Sequence, residues 1–512
     1  MKFSLKLDPS LRPQVEQMSV AQLLKIVTCP QQSADDLTLT PGYRSLYLHY
    51  TTPAQAKTFI DSYTQGNPEQ LFVCADTEFG AGEQLEGLTQ FPSMYALGVA
   101  NDESLAYAAG RIAAREMREN GYRWSFSPCV DILLHDESPM ASNRCAGRDA
   151  ETVIRIAGAN MRGMQDGGVI ATLKHFPGEG FSFYDQHIST TENPLSWEEW
   201  NSTYGRVYRE LIEQGAKTIM PAHIALPCYD TPDPVMGLCP PATLSKRLMV
   251  DLLRGELGFE GIVCSDAVTM SGFSGFMNYY KACATFLKHG GDLIVFGRTD
   301  EAYVEKMTEL VASDFLPLSV LQDRAWRILS FYQQMNAELK PIDDTVYDAA
   351  AVTEQIVRKS VQVVRDRFGV LPFHATPETK LLLVDLSNNY QHRTDAEDFL
   401  QALRAEGFQV DTVVDPGSRQ LAKLAESGSY DLIICTNTNG FGFGTNVLKL
   451  HGLPARSMMD GWTKLGTPVV FVVFQHPFFH TYFPATADTV INTNGVATAT
   501  NRVVLELLFG KS

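Results

Sequence analysis

Residues 169–180 read VIATLKHFPGEG, and this stretch joins a buried strand to a glycine-rich loop. The first five residues form an apolar run with the length and flanks of a core strand. A lysine and a histidine follow where such a strand would emerge, and the two glycines allow the chain to turn sharply after them. A little further on, the same loop carries Asp185 and His187. A polar pair at a strand end, followed by a loop with a carboxylate and an imidazole, is typical of a functional site.

The size and charge of the chain limit what it can be. A chain of 512 residues is too long for one hydrophobic core, so two or more domains are expected. Hydrophobic residues make up 45% and charged residues 20%, which is ordinary for a globular protein. The formal net charge of -17 predicts an acidic surface that repels phosphate backbones, which argues against nucleic acid as a partner.

The sequence carries no pattern for secretion or membrane insertion. Its N-terminal residues, MKFSLKLD, lack the apolar core of a signal peptide. No run approaches the roughly 18 apolar residues of a membrane span. The nine cysteines are scattered and lack zinc-type spacing, which predicts reduced thiols and no metal site. We therefore expect a cytoplasmic protein; the sequence does not predict its oligomeric state.

Short apolar runs alternate with helical patterns from residue 43 onward. Continuous apolar strands between helices indicate a parallel sheet covered on both faces. Seven or eight such units in about 300 residues are typical of a (β/α)8-type TIM barrel, with an open doubly wound sheet as the alternative. The predicted strands are residues 45–50, 71–77, 124–132, 169–175, 218–224, 261–267 and 292–296, and the predicted helices include residues 105–117, 197–214, 248–257 and 319–339.

The remainder of the chain predicts a smaller C-terminal α/β sandwich domain. We expect the barrel at residues 1–339, a linker at 340–359 and the second domain at 360–512, a parallel sheet with helices on both faces. The run GFGFG at residues 440–444 does not match the dinucleotide fingerprint, so a flexible loop is favoured over a nucleotide site. The predicted strands of this domain are residues 381–386, 410–414, 432–436, 469–474 and 490–493.

Polar residues recur where the predicted barrel strands end, and in a barrel these ends meet at one mouth. Asp266 is the most informative, because a carboxylate at the tip of a buried strand is costly unless it is paired or used. It is predicted to be a nucleophile or a stabiliser of positive charge, and the alternative is an N-cap of the next helix. The full set is Asp76, Glu78, Asp131, Lys174, His175, His223 and Asp266.

Seven motifs in order resemble the family 3 glycoside hydrolases, most closely their β-N-acetylglucosaminidase branch. The resemblance covers most of residues 15–335 and is looser beyond residue 360. It implies a retaining exo-β-N-acetylhexosaminidase that hydrolyses terminal β-linked N-acetylglucosamine through a glycosyl-enzyme intermediate, with a small carbohydrate substrate and no cofactor or metal. The motifs are residues 76–80 with 91–92, 127–131, 144–147, 174–187, 220–224, 241–245 and 258–270.

The same resemblance assigns roles to single residues. Asp266 would be the nucleophile, and His187, oriented by Asp185, would be the acid/base. The residues that would hold the sugar or line its pocket are Asp76, Arg144, Lys174, His175, Met220 and His223.

Two positions depart from the pattern of that branch. Glu179 stands where histidine is common, and it could contact the aglycone, pair with a base, or serve as an alternative acid/base. Ala267 replaces a second acid beside the nucleophile, which should leave the covalent step intact.

Other activities stay open at this stage. A glycoside phosphorylase would use the same imidazole, which tolerates an approaching phosphate, although a charged Glu179 in that loop would repel it. A β-glucosidase shares the sugar-binding residues. A barrel lyase or hydrolase could use His175 and His223 as metal ligands or Lys174 as a Schiff base. A non-catalytic sugar-binding protein is the remaining alternative, and the aglycone is not predicted.

Overall fold

The computed structural model describes residues 2–33, 38–342, 347–388, 394–440, 442, 444 and 447–510. By its internal contacts the chain divides into two compact units. The first comprises Met1–Gln90, Asp102–Leu134 and Cys145–Ala349, and the second comprises Phe91–Asn101, His135–Arg144 and Ala350–Ser512. Within the described residues, no helix is both long enough and apolar enough to cross a bilayer.

The strands of the first unit are short and parallel. Seven of them form one sheet in the order β10-β8-β6-β5-β4-β3-β2, while β1 pairs with β11 and β7 pairs with β9. Their bounds are β1 Thr28–Cys29, β2 Gln31–Ser33, β3 Ser45–His49, β4 Phe72–Ala75, β5 Tyr122–Ser125, β6 Ile170–Phe176, β7 Thr191–Glu192, β8 Thr218–Pro221, β9 Ile224–Ala225, β10 Ile262–Val263 and β11 Ile294–Val295.

Two links close these strands into a barrel. Cys264, directly after β10, bridges in parallel to Leu293, directly before β11. On the other side of β1, the Tyr47 amide of β3 donates to the Pro30 carbonyl at 2.9 Å. Eight strands of the described chain thus follow one another around a closed ring: β1, β3, β4, β5, β6, β8, β10 and β11. The prediction of a (β/α)8-type barrel over an open sheet is confirmed.

Helices follow the barrel strands. Two of them, residues 103–119 and 150–166, pack so closely that glycine is needed where they touch. A side chain at Gly110 would meet the Asn160 carbonyl at 2.3 Å, and one at Gly163 would meet the Tyr107 carbonyl at 2.2 Å, so two neighbouring helices pack backbone to backbone. The helices of the first unit are α1 Arg12–Glu16, α2 Val20–Ile26, α3 Pro53–Thr64, α5 Glu103–Glu119, α6 Ala150–Asp166, α7 Trp197–Ser202, α8 Tyr204–Glu213, a π-type helix Arg247–Glu256, α9 Ser271–Ser274, α10 Tyr279–Lys288, α11 Glu301–Ala312 and α12 Leu318–Ala337. The helix between α3 and α5, α4 Met94–Ala100, lies in a segment of the second unit.

The second unit is a six-stranded sheet with helices on both faces, as predicted. Its order is β12-β17-β16-β15-β13-β14, parallel except for β12, which runs antiparallel to β17. Separate apolar cores cover the two faces, one around Phe399 and Val504 and the other around Trp462 and Phe471. The elements are α13 Ala349–Ser360, β12 Gln362–Asp366, β13 Lys380–Asp385, α14 Thr394–Ala405, β14 Gln409–Val414, α15 Ser418–Glu426, β15 Leu432–Asn437, α16 Gly452–Arg456, β16 Val469–Val473, α17 Phe479–Tyr482, β17 Thr489–Asn492 and α18 Thr500–Phe509.

The domain borders differ from the predicted ones in two places. Most of the segment predicted as a linker, residues 340–359, is the helix α13, whose Ile356 and Val357 are fully buried. Residues 343–346 of that segment lie outside the described residues. Residues 91–101 and 135–144, predicted as part of the barrel, cluster with the second unit. The glycine run at 440–444 includes Phe441 and Phe443, which are also outside the described residues.

Candidate active site

An ion-pair cluster lies at the ends of β4 and β6. Lys174 is buried, and its Nζ lies 2.6 Å from Asp76 Oδ1 and 2.7 Å from Glu78 Oε1. The Tyr47 hydroxyl donates to Asp76 Oδ2 at 2.9 Å. The Asp76 side chain keeps 30% of its surface exposed, so part of this cluster faces solvent. A lysine held against carboxylates can donate to sugar hydroxyls while the carboxylates accept from them.

A third carboxyl group, that of Glu83, lies near this ion-pair cluster, and no sequence motif indicated it. Glu83 accepts a hydrogen bond from the Phe79 amide at 3.1 Å. Burial, followed by repulsion from Glu78 and Asp76, raises the pKa of Glu83 to about 8. With this pKa, Glu83 is mostly protonated at pH 7, next to the ion pairs of Lys174.

His175 is fixed in orientation by Asp131, which follows β5. The imidazole Nδ1 lies 2.6 Å from Asp131 Oδ2, and the His175 amide donates to Oδ1 at 3.2 Å. Asp131 also accepts from the Cys129 thiol at 3.1 Å. Burial alone would raise the pKa of Asp131, but the His175 charge and these hydrogen bonds bring it below its ordinary value. The sequence predicted Asp131 at the mouth of the barrel but gave no indication of this orienting role.

The two loop residues predicted for proton transfer are in direct contact. His187 Nδ1 lies 2.5 Å from Asp185 Oδ1, and the His187 amide donates to the same oxygen at 2.8 Å. Asp185 is fully buried, whereas 15% of the His187 side chain is exposed. A carboxylate on one ring nitrogen fixes the tautomer and stabilises the imidazolium. This geometry suits His187 to exchange protons through Nε2.

Backbone hydrogen bonds hold this loop against the segment that follows the predicted nucleophile. The Ser271 amide donates to the His187 carbonyl at 2.9 Å, and the Gly272 amide donates to the Gln186 carbonyl at 3.2 Å. The side-chain Oε1 of Gln186 accepts from the His223 amide at 3.0 Å. Gln186 is fully buried, and the sequence gave it no role. Its contacts bring the acid/base loop to the side of the barrel where Asp266 emerges.

Asp266 is a buried carboxylate with a lowered pKa, and one of its two oxygens is not used in a hydrogen bond within the described residues. One oxygen, Oδ1, accepts from the Ala267 amide at 2.8 Å. The other, Oδ2, has no hydrogen-bond partner among the residues described. Burial by itself would raise the pKa of Asp266, but electrostatic interaction with the imidazoles of His175, His223 and His187 and the hydrogen bond from the Ala267 amide bring it below its ordinary value. These features suit a nucleophile.

The alternative role for Asp266, a helix N-cap, does not fit. The next helix is α9, its N-cap is Met270, and the aspartate carboxylate accepts no bond from that helix's amides in the described contacts.

Three residues predicted to contact sugar have other surroundings. His223 is fully buried, with Nδ1 at 3.0 Å from Thr243 Oγ1 and Nε2 at 3.0 Å from the Ala267 carbonyl. Burial lowers the pKa of His223. The two hydrogen bonds of its ring position the chain beside Asp266. Met220 is buried on β8 as the register partner of Lys174. Arg144 belongs to the second unit, where Nη1 donates to the Met140 carbonyl at 2.9 Å. The sugar-contact roles of these residues stay predictions.

The metal and Schiff-base alternatives gain no support from these contacts. Cys129, Asp131 and His175 place their side-chain heteroatoms within 4.8 Å of one another, but the cysteine and histidine both donate to the aspartate. Both ring nitrogens of His223 are occupied by protein partners. Ion pairing to two carboxylates keeps Lys174 as an ammonium, whereas a Schiff base needs a neutral amine.

Comparison with known proteins decides the family. Residues 15–331 match the model of the glycosyl hydrolase family 3 N terminal domain. The chain belongs to glycosyl hydrolase family 3. Membership in this family confirms the resemblance stated from the motifs, and it confirms an enzyme of the glycoside hydrolase class.

Several family 3 relatives match much of the chain. A beta-N-acetylglucosaminidase/beta-glucosidase of Cellulomonas fimi is 27% identical over 492 residues, covering 91% of this chain and 86% of that protein. A beta-hexosaminidase of Methylobacillus flagellatus is 31% identical over 254 residues, covering 48% of this chain and 70% of that protein. Both names agree with the branch indicated by the motifs.

Solved structures match over the whole chain. The beta-glucoside phosphorylase BglX has a TM-score of 0.89 at 26% identity and covers 100% of this chain and 96% of its own. A family 3 beta-N-acetylglucosaminidase from Paenibacillus sp. has a TM-score of 0.79 at 24% identity, with 96% and 97% covered. The second likeness shows the shared two-domain fold.

Proposed function

We propose that this family 3 protein is a retaining exo-β-N-acetylhexosaminidase that removes terminal β-linked N-acetylglucosamine. One observation carries the proposal: an ionised Asp266 with an uncommitted oxygen lies beside a loop that presents the Asp185–His187 pair. Retaining hydrolysis requires a nucleophile and a separate proton donor. The names of the relatives support N-acetylglucosamine as the sugar.

The reaction takes two steps. In the first, Asp266 Oδ2 bonds to the anomeric carbon, the glycosidic bond breaks, and His187 gives its proton to the departing oxygen. In the second, His187 takes a proton from water, the resulting hydroxide attacks the anomeric carbon, and Asp266 leaves as carboxylate. Asp185 keeps the ring oriented and stabilises its charged form. Lys174, Asp76 and His175 hold the sugar hydroxyls.

We also infer a cytoplasmic location and small carbohydrate fragments as substrates. All nine cysteines are free thiols, eight of them buried, which fits a reducing compartment. Soluble fragments rather than polymers would reach an enzyme there.

The direct test measures turnover of aryl β-N-acetylglucosaminides by the native protein and by Asp266→Asn and His187→Ala variants. Loss of His187 should lower turnover by about 10²- to 10⁴-fold for a phenol that needs a proton to leave. A dinitrophenyl leaving group needs little protonation, so its cleavage step should be nearly spared in His187→Ala but abolished in Asp266→Asn. Asp61→Asn and His451→Ala, at exposed positions, are the matched controls. Full turnover in both site variants would refute the proposal.

A glycoside phosphorylase is the second candidate, because one argument against it fails. Burial, followed by repulsion from Asp131, raises the pKa of Glu179 to about 8, so near neutral pH this residue does not present the charge that would repel phosphate. The likeness to a beta-glucoside phosphorylase over the full chain favours the same candidate. Product analysis with and without phosphate separates the two: free N-acetylglucosamine in both samples supports hydrolysis, and sugar 1-phosphate formed with phosphate supports phosphorolysis.

A further inference from the structure

An exposed tyrosine lies at the barrel mouth beside the ion-pair cluster described above, and the proposed mechanism gives it no role. Tyr50 directly follows β3, and the C-terminal ends of barrel strands form the mouth. The next residue, Thr51, donates its amide to the Gln84 carbonyl at 3.1 Å, and its carbonyl accepts from the Glu86 amide at 3.0 Å. These bonds place Tyr50 beside the segment that carries Glu83.

The Tyr50 ring continues a series of aromatic rings that begins at Asp76. The Tyr47 hydroxyl donates to Asp76 Oδ2 at 2.9 Å. The ring centroids of Tyr47 and His49 lie 5.4 Å apart, and those of His49 and Tyr50 lie 4.6 Å apart. His49 is held in place because Gln31 Nε2 donates to its Nε2 at 2.9 Å. The series therefore leads from the carboxylate predicted to hold the sugar out to solvent.

The Tyr50 ring is accessible to a ligand. The residue keeps 65% of its surface exposed. Partial burial, followed by electrostatic repulsion from Glu83 and Asp76, raises the pKa of its phenol. Because such repulsion weakens with distance, the hydroxyl group lies on the side of the mouth that carries these two acids. An exposed aromatic ring beside carboxylates that can accept from hydroxyl groups is suited to contact a carbohydrate.

The backbone turn at Tyr50 does not itself require an aromatic residue. The φ of Tyr50 is +50°, in the left-handed region that a bulky residue rarely adopts. Glycine would adopt this conformation without strain. Residues held in such conformations cluster at functional sites, where the surrounding structure maintains them. The turn alone thus does not account for the ring, which is the part of the residue that glycine would lack.

The order of the barrel strands shows which part of a bound sugar would face Tyr50. Asp266 follows β10 and Asp76 follows β4, four places away among the eight strands of the ring. The two carboxylates therefore emerge on opposite sides of the mouth. A sugar with its anomeric carbon at Asp266 would direct its far edge, which carries the C4 hydroxyl and the C6 hydroxymethyl group, toward Asp76. Tyr50, after the neighbouring strand β3, lies at that edge.

We propose that Tyr50 is a substrate-binding residue whose ring packs against the hydroxymethyl group of the terminal sugar and so selects hexoses over sugars that lack this group. The C–H bonds of a sugar carry partial positive charge, which the negative face of an aromatic ring attracts. A carboxylate such as Asp76 accepts from hydroxyl groups, so the two side chains contact different features of the same edge. The identity of the sugar as N-acetylglucosamine rests on the proposed function; the contact with its hydroxymethyl group does not.

Substrates with and without the hydroxymethyl group test this contact. The measurement is kcat/KM for an aryl β-N-acetylglucosaminide and for the matching aryl β-N-acetylxylosaminide, which lacks the group. In native protein, loss of the hydroxymethyl group should lower kcat/KM by about tenfold or more. Tyr50→Gly should lose a similar factor with the first substrate and should discriminate little between the two. Tyr50→Phe keeps the ring and should behave as native protein does.

A second left-handed position provides the matched control. Gln65→Gly makes the same kind of change at an exposed residue with a φ of +52° at the end of α3, and it should leave the kcat/KM of both substrates unchanged. Glycine suits the backbone at residue 50, so Tyr50→Gly should stay folded, and denaturant unfolding checks this. Tyr50→Asn, whose side chain also tolerates the left-handed region, gives the same comparison if Tyr50→Gly folds poorly.

Equal discrimination between the two substrates by native protein and by Tyr50→Gly would overturn the inference. Calorimetric binding of free N-acetylglucosamine separates this result from failure of the proposed function. A native protein that binds the sugar without hydrolysing either glycoside, while Tyr50→Gly binds it more weakly, would refute the proposed hydrolysis and support the contact. Equal binding of the sugar by the two proteins would count against Tyr50 as a substrate contact, whatever reaction follows.

Discussion

Two buried carboxyl groups at the mouth of this barrel have pKa values shifted in opposite directions. The pKa of Asp266 lies below its ordinary value because three histidines face it, whereas burial and nearby Asp131 raise the pKa of Glu179 to about 8. Two carboxyl groups whose pKa values are shifted apart often have distinct roles in acid–base chemistry. The sequence predicted Asp266 as the nucleophile and left the role of Glu179 open. It could not predict the pKa of either group, because pKa depends on burial and on neighbours far away in the chain.

The raised pKa of Glu179 has a consequence for stability. The unfolded chain releases this proton above pH 4.5, whereas the folded protein keeps it until about pH 8. Native stability is therefore reduced progressively as pH rises from 4.5 to 8, relative to a residue that does not titrate. The free energy of unfolding of Glu179→Gln should therefore rise relative to that of native protein across this window. The difference between the two proteins should be roughly 1 to 3 kcal/mol larger at pH 8 than at pH 5. Denaturant unfolding of both proteins at pH 5 and pH 8 measures this difference. A difference that does not change with pH would contradict the prediction.

At the scale of elements, the strands inside the barrel were the most predictable part. The strand predicted at residues 169–175 is β6, Ile170–Phe176, whose residues are all buried. Its first part is a continuous apolar run, which is typical of a strand covered on both faces. The short strands β1 and β2 were missed, since Pro30 interrupts them and neither is long enough to give a pattern. The predicted helix at residues 197–214 is two helices that meet at Thr203, although its apolar spacing continues through the break.

Contacts between elements could not be predicted from the sequence. The acid/base loop reaches Ser271 and Gly272 through backbone hydrogen bonds, which any residue type can make. The bond between Asp131 and His175 joins positions 44 residues apart and depends on β5 and β6 being neighbours in the barrel. Motif order identified these residues, and only the fold shows how they are paired.

One carboxylate at the start of β11 holds three other elements together. Asp292 is fully buried and lies 2.7 Å from Arg254 Nη2 of the π-type helix and 2.8 Å from Arg327 Nε of α12. It also accepts from the Val263 amide of β10 at 2.9 Å. Burial alone would raise the pKa of Asp292, but the arginine charges bring it far below its ordinary value. This end of the barrel is the one associated with stability rather than chemistry.

Asp292→Asn should therefore destabilise the protein strongly, because it leaves partly buried guanidinium groups without their counter-charge. We expect a loss of about 3 to 5 kcal/mol in the free energy of unfolding, with turnover per folded molecule unchanged. Asp61→Asn breaks an exposed pair with Lys57 and should cost about 0 to 1 kcal/mol. Chemical denaturation of both variants measures the contrast, and equal small losses would contradict the role given to Asp292.

At the scale of the whole molecule, the sequence predicted two α/β units and their fold classes. It did not predict that residues 91–101 and 135–144 cluster with the second unit, because these segments stand within barrel motifs. Arg144 lies in one of these segments. Its motif indicated a sugar contact, and the residue clusters with the second unit. Local patterns indicate which element forms, whereas membership in a compact unit depends on contacts far along the chain.

The cysteines give a prediction for the intact protein. Of the nine free thiols, Cys228 is exposed and the others are buried. Burial of part of its surface raises the pKa of Cys228, so its reaction should quicken above neutral pH. A thiol reagent should modify one cysteine in the folded protein and nine after denaturation, and Cys228→Ser should remove the fast reaction. Several fast-reacting thiols, or fewer than nine on denaturation, would contradict this account.

If Asp266 bonds covalently to the sugar, mass spectrometry should detect the glycosyl-enzyme intermediate once it is trapped. A 5-fluoro N-acetylglucosaminyl fluoride reacts with the nucleophile and is released slowly, so the adduct accumulates. We expect one added sugar on the native protein, located by peptide mapping at Asp266, and none on Asp266→Asn. An adduct on another residue, or turnover of the probe by Asp266→Asn at the native rate, would contradict it.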